Sequence, residues 1–138
     1  MPQNTPRNGC TMNRVAPYFL VRDVFATAEF YRDVLGFTFR QFFGDPPSFT
    51  IVERDEVRIM FRQPRPAKPA VARPNRSVMD ETFDAYVYVS DVDKLAAELR
   101  ARKAEIVEGP VNRIYRMREL LVRDCNGYVL AFGQDTDS

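Results

Sequence analysis

The tetrapeptide Val21-Arg22-Asp23-Val24 returns 68 residues later as Val89-Ser90-Asp91-Val92. Each copy follows an alternating aromatic and apolar run and precedes a stretch of helical spacing. In a chain of 138 residues that offset is close to half the length. A repeat of this period means two copies of one supersecondary unit packed together. Such a pair encloses a cleft, the usual place for a ligand.

Outward from the first copy, Val15 to Val21 reads as a strand with Pro17 near its start. Asp23 is positioned as a helix N-cap, its carboxylate accepting from free N–H groups of the first turn. Val24, Ala28, Tyr31 and Leu35 keep helical spacing, and Gly36 stops the helix. Phe37 to Phe43 is a second strand, Asp45-Pro46-Pro47 a turn, and Phe49 to Glu53 with Glu56 to Arg62 a hairpin about Arg54-Asp55. The second copy repeats the order. Phe83 to Val89 is a strand, and Asp91 caps a helix with Leu95 and Leu99 on its buried face. That helix ends near Lys103-Ala104. Ile106-Val107 begins a strand, Gly109-Pro110 turns, and Arg116 to Arg123 and Tyr128 to Phe132 flank the tight turn Asp124-Cys125-Asn126-Gly127. Each half is therefore βαβββ, an α+β unit whose helix covers one face of its sheet.

The domain plan follows. Residues 1–13 form a polar tail, 14–62 the first module, 63–80 a proline-rich linker, 81–134 the second module and 135–138 a short tail. The linker carries Pro64, Pro66, Pro69 and Pro74 among Arg65, Lys68, Arg73 and Arg76. It is too proline-rich for a core element and has no interleaved aromatic rings, so it is a solvated connector, not a base-stacking surface. Net charge is +1, which leaves no global field to draw nucleic acid or an anionic membrane. No apolar run reaches the roughly 20 residues that cross a bilayer. Cys10 and Cys125 lie in unrelated contexts without metal-ligand spacing, as two reduced thiols of a cytoplasmic protein. The chain contains no histidine. That removes the base of a serine triad and the commonest transition-metal ligand. Cys125 has no activating neighbour in sequence, and no glycine-rich phosphate loop is present.

The tetrapeptide repeat, Phe30-Tyr31-Arg32-Asp33-Val34-Leu35-Gly36-Phe37, and the run from Met117-Arg118-Glu119 to Val122-Arg123-Asp124-Cys125-Asn126-Gly127 together resemble the vicinal oxygen chelate superfamily. That group holds glyoxalase I, extradiol dioxygenases, fosfomycin-resistance proteins and bleomycin-resistance proteins. The resemblance covers nearly all of residues 14–134 and is nearest the bleomycin-resistance branch. The family's Asp-Pro-Asp-Gly turn stands here as Asp-Cys-Asn-Gly. The resemblance implies two βαβββ modules curled into a cup-shaped open barrel, with helices outside and a ligand in the cup. It also implies a homodimer, with cup residues drawn from a partner chain.

Enzymes of this superfamily hold a divalent metal in the cup through His, Glu or Gln. By the resemblance, the ligand positions fall here at Ala16, Met60, Asp84 and Ala131. Alanine has no donor atom, and a thioether is a poor ligand for hard cations. One carboxylate does not hold a metal against water. The resemblance thus implies the metal-free, ligand-binding branch, with no cofactor and no catalytic residue. The alternative is a superfamily lyase, isomerase or dioxygenase with an atypical metal site. A third reading is a regulatory or immunity partner whose cup is vestigial.

Strand alternation names the expected lining. With Phe19, Val21, Val87 and Val89 in the core, Ala16, Tyr18 and Leu20 face the cup from one half, and Asp84, Tyr86 and Tyr88 from the other. Arg58, Met60 and Arg62 share a face opposite Val57, Ile59 and Phe61. Val129 and Ala131 lie opposite Tyr128, Leu130 and Phe132. Of the adjacent Arg118 and Glu119, one points inward, and Arg118 is assigned to the rim. Asp84 is read as half of a structural ion pair, with a general base or a contact to a cationic ligand as alternatives. Tyrosine walls and arginine forks suit an aromatic ligand, neutral or anionic. Cationic bleomycin itself suits them poorly.

Overall fold

A computed structural model describes residues 9–66 and 72–137 of the chain. The first module comprises β1 (Tyr18–Leu20), α1 (Val24–Leu35), β2 (Thr38–Phe43), β3 (Phe49–Arg54) and β4 (Val57–Arg62). The second comprises β5 (Ala85–Tyr88), α2 (Val92–Ala101), β6 (Glu105–Asn112), β7 (Met117–Arg123) and β8 (Val129–Asp135). Each module folds into its own four-stranded sheet, ordered β1-β4-β3-β2 and β5-β8-β7-β6. Neighbours joined by short turns are antiparallel, while β1 on β4 and β5 on β8 are parallel. The two halves are thus an α+β pair of βαβββ modules.

The repeated tetrapeptide acts as a helix starter. The Asp23 carboxylate accepts from Ala26 N, and that of Asp91 from Lys94 N. A second cap is duplicated as well. Gln63 Oε1 accepts from Val24 N at 3.0 Å, and Gln134 Oε1 accepts from Val92 N at 2.9 Å. Each glutamine closes the sheet strand paired with the one leading into the helix, so helix start and sheet edge are locked together. Gly36 ends α1 in the left-handed region, at φ 76°.

Some boundaries differ from the sequence reading. The first strand begins at Tyr18, not Val15: its ladder with β4 starts at Tyr18↔Met60, and the preceding Pro17 has no N–H to extend it. In the same way β5 begins at Ala85, two residues after Phe83. The hairpin turns at Asp55-Glu56 instead of Arg54-Asp55. Gly109-Pro110 is not a turn but lies inside β6. The register jumps from Glu108↔Leu121 to Val111↔Glu119 across it. There the backbone of Gly109 lies so close to the Glu119 carbonyl that a β-carbon would collide with it.

The helices cover the same side of the molecule, over one core that runs through both modules. Val21, Tyr31, Leu35, Ile59 and Phe61 of the first share it with Val92, Leu99, Leu120, Val122 and Leu130 of the second. One end of the seam between modules is filled by aromatic rings. Phe19 stacks on Tyr128 at 4.3 Å between centroids, and the Tyr128 hydroxyl donates to the Leu20 carbonyl at 2.8 Å. Tyr31, wholly buried, donates to Asp124 Oδ2 at 2.7 Å. The faces turned away from the helices are the concave ones. No helix among the described residues is long and apolar enough to cross a membrane.

Candidate functional site

Alternation along β1 and β4 decides which side chains reach the first concave face. Phe19, Val21, Ile59 and Phe61 are buried under α1, which turns Tyr18, Leu20, Arg58, Met60 and Arg62 outward onto the open face. The register brings Tyr18 beside Met60 and Leu20 beside Arg62. Arg62 Nε donates to the Tyr18 hydroxyl at 2.9 Å, and the guanidinium lies 4.7 Å from the Phe49 ring centroid. Tyr18 in turn stacks on Phe49. A cation held over one ring and bonded to another is oriented without being neutralised. Tyr18 and Leu20 remain 51% and 41% exposed, so this face is open to an incoming molecule.

Further along the same sheet, Phe39, Arg40, Gln41, Phe43, Ile51, Glu53 and Arg58 line a hollow of about 290 Å³. Glu53 is shared by Arg58 at 3.2 Å and Arg40 at 3.4 Å. With Arg62 the face carries three guanidinium groups against that one carboxylate, so its local charge is positive.

The second concave face is built differently. Val129 and Ala131 do point to it, but they are fully buried beneath Phe83, Tyr86, Val107 and Leu121. Tyr86 lies across Gly133, where any β-carbon would overlap its phenol oxygen. That passage lets the phenol donate to Glu119 Oε2 at 2.8 Å. Tyr115 donates to the same oxygen at 2.8 Å, and Arg113 Nε to Oε1 at 2.9 Å. Burial pushes the Glu119 carboxyl upward, but these three donors outweigh it and hold its pKa below the ordinary value. Burial, and then the bond to Glu119, push the Tyr86 phenol up. Tyr88, 77% exposed, sits 5.1 Å from the Tyr86 ring.

Three expectations meet different surroundings here. Arg118 is not at the rim of the cup. It alternates onto the helix side with Leu120 and Val122 and grips both oxygens of Asp93 on α2, at 2.9 and 3.0 Å. Glu119 takes the inward position. The run Leu120-Leu121-Val122 is apolar on both faces, so alternation alone did not separate the two neighbours. Among the described residues, Asp84 is engaged by backbone and not by an arginine. Its Oδ1 accepts from Asn75 N at 2.7 Å and its Oδ2 from Val129 N at 2.8 Å. Finally, the expected lining divides into two clusters, one per sheet. No hydrogen bond, ion pair or ring contact among the described residues joins Tyr18, Arg58 and Arg62 to Tyr86 and Tyr88.

The positions that would hold a divalent ion do not fit one. Ala16 and Ala131 offer no donor, Met60 offers a thioether, and each Asp84 oxygen already accepts a main-chain hydrogen bond. Glu119, the buried carboxylate of the concave faces among the described residues, accepts from three donors.

Comparison with known proteins now bears on this geometry. The family model described as the Glyoxalase/Bleomycin resistance protein/Dioxygenase superfamily matches residues 11–132. Among solved structures, the chain is similar to TioX from Micromonospora sp. ML1. Identity is 20% over 90% of this chain and 99% of that one, with a TM-score of 0.68. A glyoxalase/bleomycin resistance protein/dioxygenase from Nocardioides is 19% identical over 95% of this chain and 89% of its own, at a TM-score of 0.66. TnmS3, an antibiotic binding protein from Streptomyces sp. CB03234, is 18% identical over 91% and 99%, at 0.64. Comparison with curated proteins gives no match.

Proposed function

From the premise that this chain belongs to the glyoxalase/bleomycin resistance protein/dioxygenase superfamily, we propose that it is a metal-independent small-molecule binding protein of the resistance type. It buries its ligand on the concave faces and lowers the ligand's free concentration without changing it. The observation that carries this reading is the donor set. The four positions where the family's enzymes hold a metal carry two alanines, a methionine and an aspartate committed to backbone amides. A Lewis acid has nothing there to bind it. TnmS3, a protein of the same fold, is described as antibiotic binding.

The ligand class follows from the first face. Tyr18, Phe43, Phe49 and Ile51 present flat apolar surface, and Arg40, Arg58 and Arg62 outnumber Glu53. An aromatic ligand, neutral or anionic, matches that surface and charge. The face is open in one chain, and in this reading a second copy closes it. The proposed state is a homodimer, and the two cysteine thiols, Cys10 and Cys125, suit a reducing cytoplasm.

A thermal-shift panel tests the reading. Anionic aromatic acids are expected to raise Tm, cationic glycopeptides to leave it unchanged, and Arg62→Ala to weaken the anionic response about tenfold or more. Stabilisation by the glycopeptides alone refutes the charge argument. Elemental analysis of protein purified without chelator tests metal independence. One equivalent of a transition metal per chain, with turnover lost on stripping it, refutes the binding-only function.

A further inference from the structure

The module repeat allows one end of the molecule to be compared with the other, position by position. Tyr18 pairs with Met60 and Tyr86 with Ala131, so β1 maps onto β5 at an offset of 68 and β4 onto β8 at 71. On that mapping Phe19 corresponds to Val87, Tyr31 to Leu99 and Tyr128 to Val57. The first of each pair belongs to the aromatic plug that fills one end of the inter-module seam. The second of each pair is a smaller aliphatic residue, and all three line a groove of about 430 Å³ at the opposite end. Where three rings pack at one end of the seam, the other end holds open space beside Phe37 and Phe132.

The groove keeps other elements of the plug's surroundings. The carbonyl that corresponds to Leu20's, which takes the Tyr128 hydroxyl, is that of Tyr88, a lining residue. The position of Asp124 maps to Arg54, which lines the groove and grips both oxygens of Glu98, also in the lining, at 2.6 and 2.9 Å. Beyond that pair, the lining carries Lys94, paired with Asp91 at 3.9 Å, and the two carboxylates Asp55 and Glu56 at the hairpin tip. Neither of these two carboxylates takes part in an ion pair among the described residues. Residues 1–8, 67–71 and 138 contain no aromatic side chain, so the rest of the chain has no ring to supply. A volume of this size lies within the roughly 300–1,000 Å³ range of small-molecule sites.

We infer that this groove is a second ligand site, separate from the concave faces, for a single phenolic ring bearing a cationic arm. The ring takes the volume that Tyr128 fills at the other end, its hydroxyl reaches toward the Tyr88 carbonyl, and the arm lies against Asp55 and Glu56. The inference rests on the internal repeat and not on the function proposed above, so either stands if the other fails.

The experiment titrates tyramine, and 4-hydroxyphenylacetate as its anionic counterpart, into uniformly ¹⁵N-labelled protein. Tyramine is expected to shift the amides of Val57, Val87 and Leu99 saturably, and 4-hydroxyphenylacetate to shift them at least tenfold more weakly. Val57→Tyr refills the groove as Tyr128 fills the plug, so it is expected to abolish the tyramine response while Tm is kept or raised. Should that variant not fold, Glu56→Gln on the exposed hairpin tip is expected to weaken tyramine several-fold with Tm unchanged. The inference is overturned if tyramine at millimolar concentration leaves those amides unmoved, if its shifts map to the concave faces, or if the anionic compound binds equally well. It is also overturned if Val57→Tyr folds and still responds.

Discussion

Replacing Tyr31 by phenylalanine removes one oxygen atom from the middle of the core, and the structure allows its consequence to be worked out. Tyr31 is fully buried, and among the described residues its hydroxyl is the only donor hydrogen-bonded to Asp124 Oδ2, at 2.7 Å. The other oxygen, Oδ1, accepts from Asn126 N and Tyr128 N. Asp124 is 5% exposed, and burial pushes its carboxyl up to about 6 even though three hydrogen bonds pull the other way. In Tyr31→Phe a buried carboxylate oxygen loses its donor, which costs about 1.5–3 kcal/mol for a bond to a charged group. The pH dependence identifies the cause. The folded value of about 6 lies above the ordinary carboxyl value of 3.8, so between these the native state binds a proton that the unfolded chain does not. Stability therefore falls as pH rises toward 6 and is flat above it. From pH 5 to 7.5 that loss is about 1.4 kcal/mol for the wild type. Loss of the phenol donor raises the carboxyl further, so the variant's deficit is larger at pH 7.5 than at pH 5. The window is a clean one. The chain has no histidine, and the other displaced carboxyls, at Asp33, Asp93, Glu98, Glu108 and Glu119, are displaced downward. Urea unfolding followed by far-UV circular dichroism at several pH values reads both quantities, with Asp124→Asn as the control that flattens the slope. A deficit under about 0.5 kcal/mol at pH 7.5, or one that grows on acidification, refutes the reasoning.

Gly133→Ala places a methyl group where the Tyr86 phenol crosses the strand. Forcing that ring aside strips a donor from buried Glu119 and is expected to cost about 1–3 kcal/mol in urea, with Tyr86→Phe in the same background recovering part of the loss. Arg54→Ala breaks the two-bonded link from β3 to Glu98 and a bond to the Leu35 carbonyl that caps α1. The side chains of that pair are about one-third exposed, so solvent screening limits the cost to about 1 kcal/mol. The cost is expected to shrink between low salt and 1 M salt in parallel thermal melts.

The repeated tetrapeptide, the helix spacing and the Asn-Gly turn were enough to establish the α+β class, the two βαβββ modules and the assignment of most strand faces. These are local properties. Capping needs a carboxylate at one position, and alternation needs only the period of a strand, so the buried and outward sets on β1 and β4 were legible without a tertiary structure. The non-donor residues at Ala16, Met60 and Ala131 were equally readable, since absence of a donor atom belongs to the residue itself. Tertiary structure alone decided the rest. Leu120-Leu121-Val122 is apolar on both faces, so only the sheet register could turn Glu119 inward and send Arg118 to Asp93. Asp84 found two backbone amides because the linker passes beside the start of β8, a meeting between segments distant in sequence. Whether an inward residue borders a hollow or lies beneath another side chain depends on what crosses over it. Ala131 is sealed and Tyr18 is open because Tyr86 crosses Gly133 on one sheet, while among the described residues no such ring crosses the β1–β4 pair on the other.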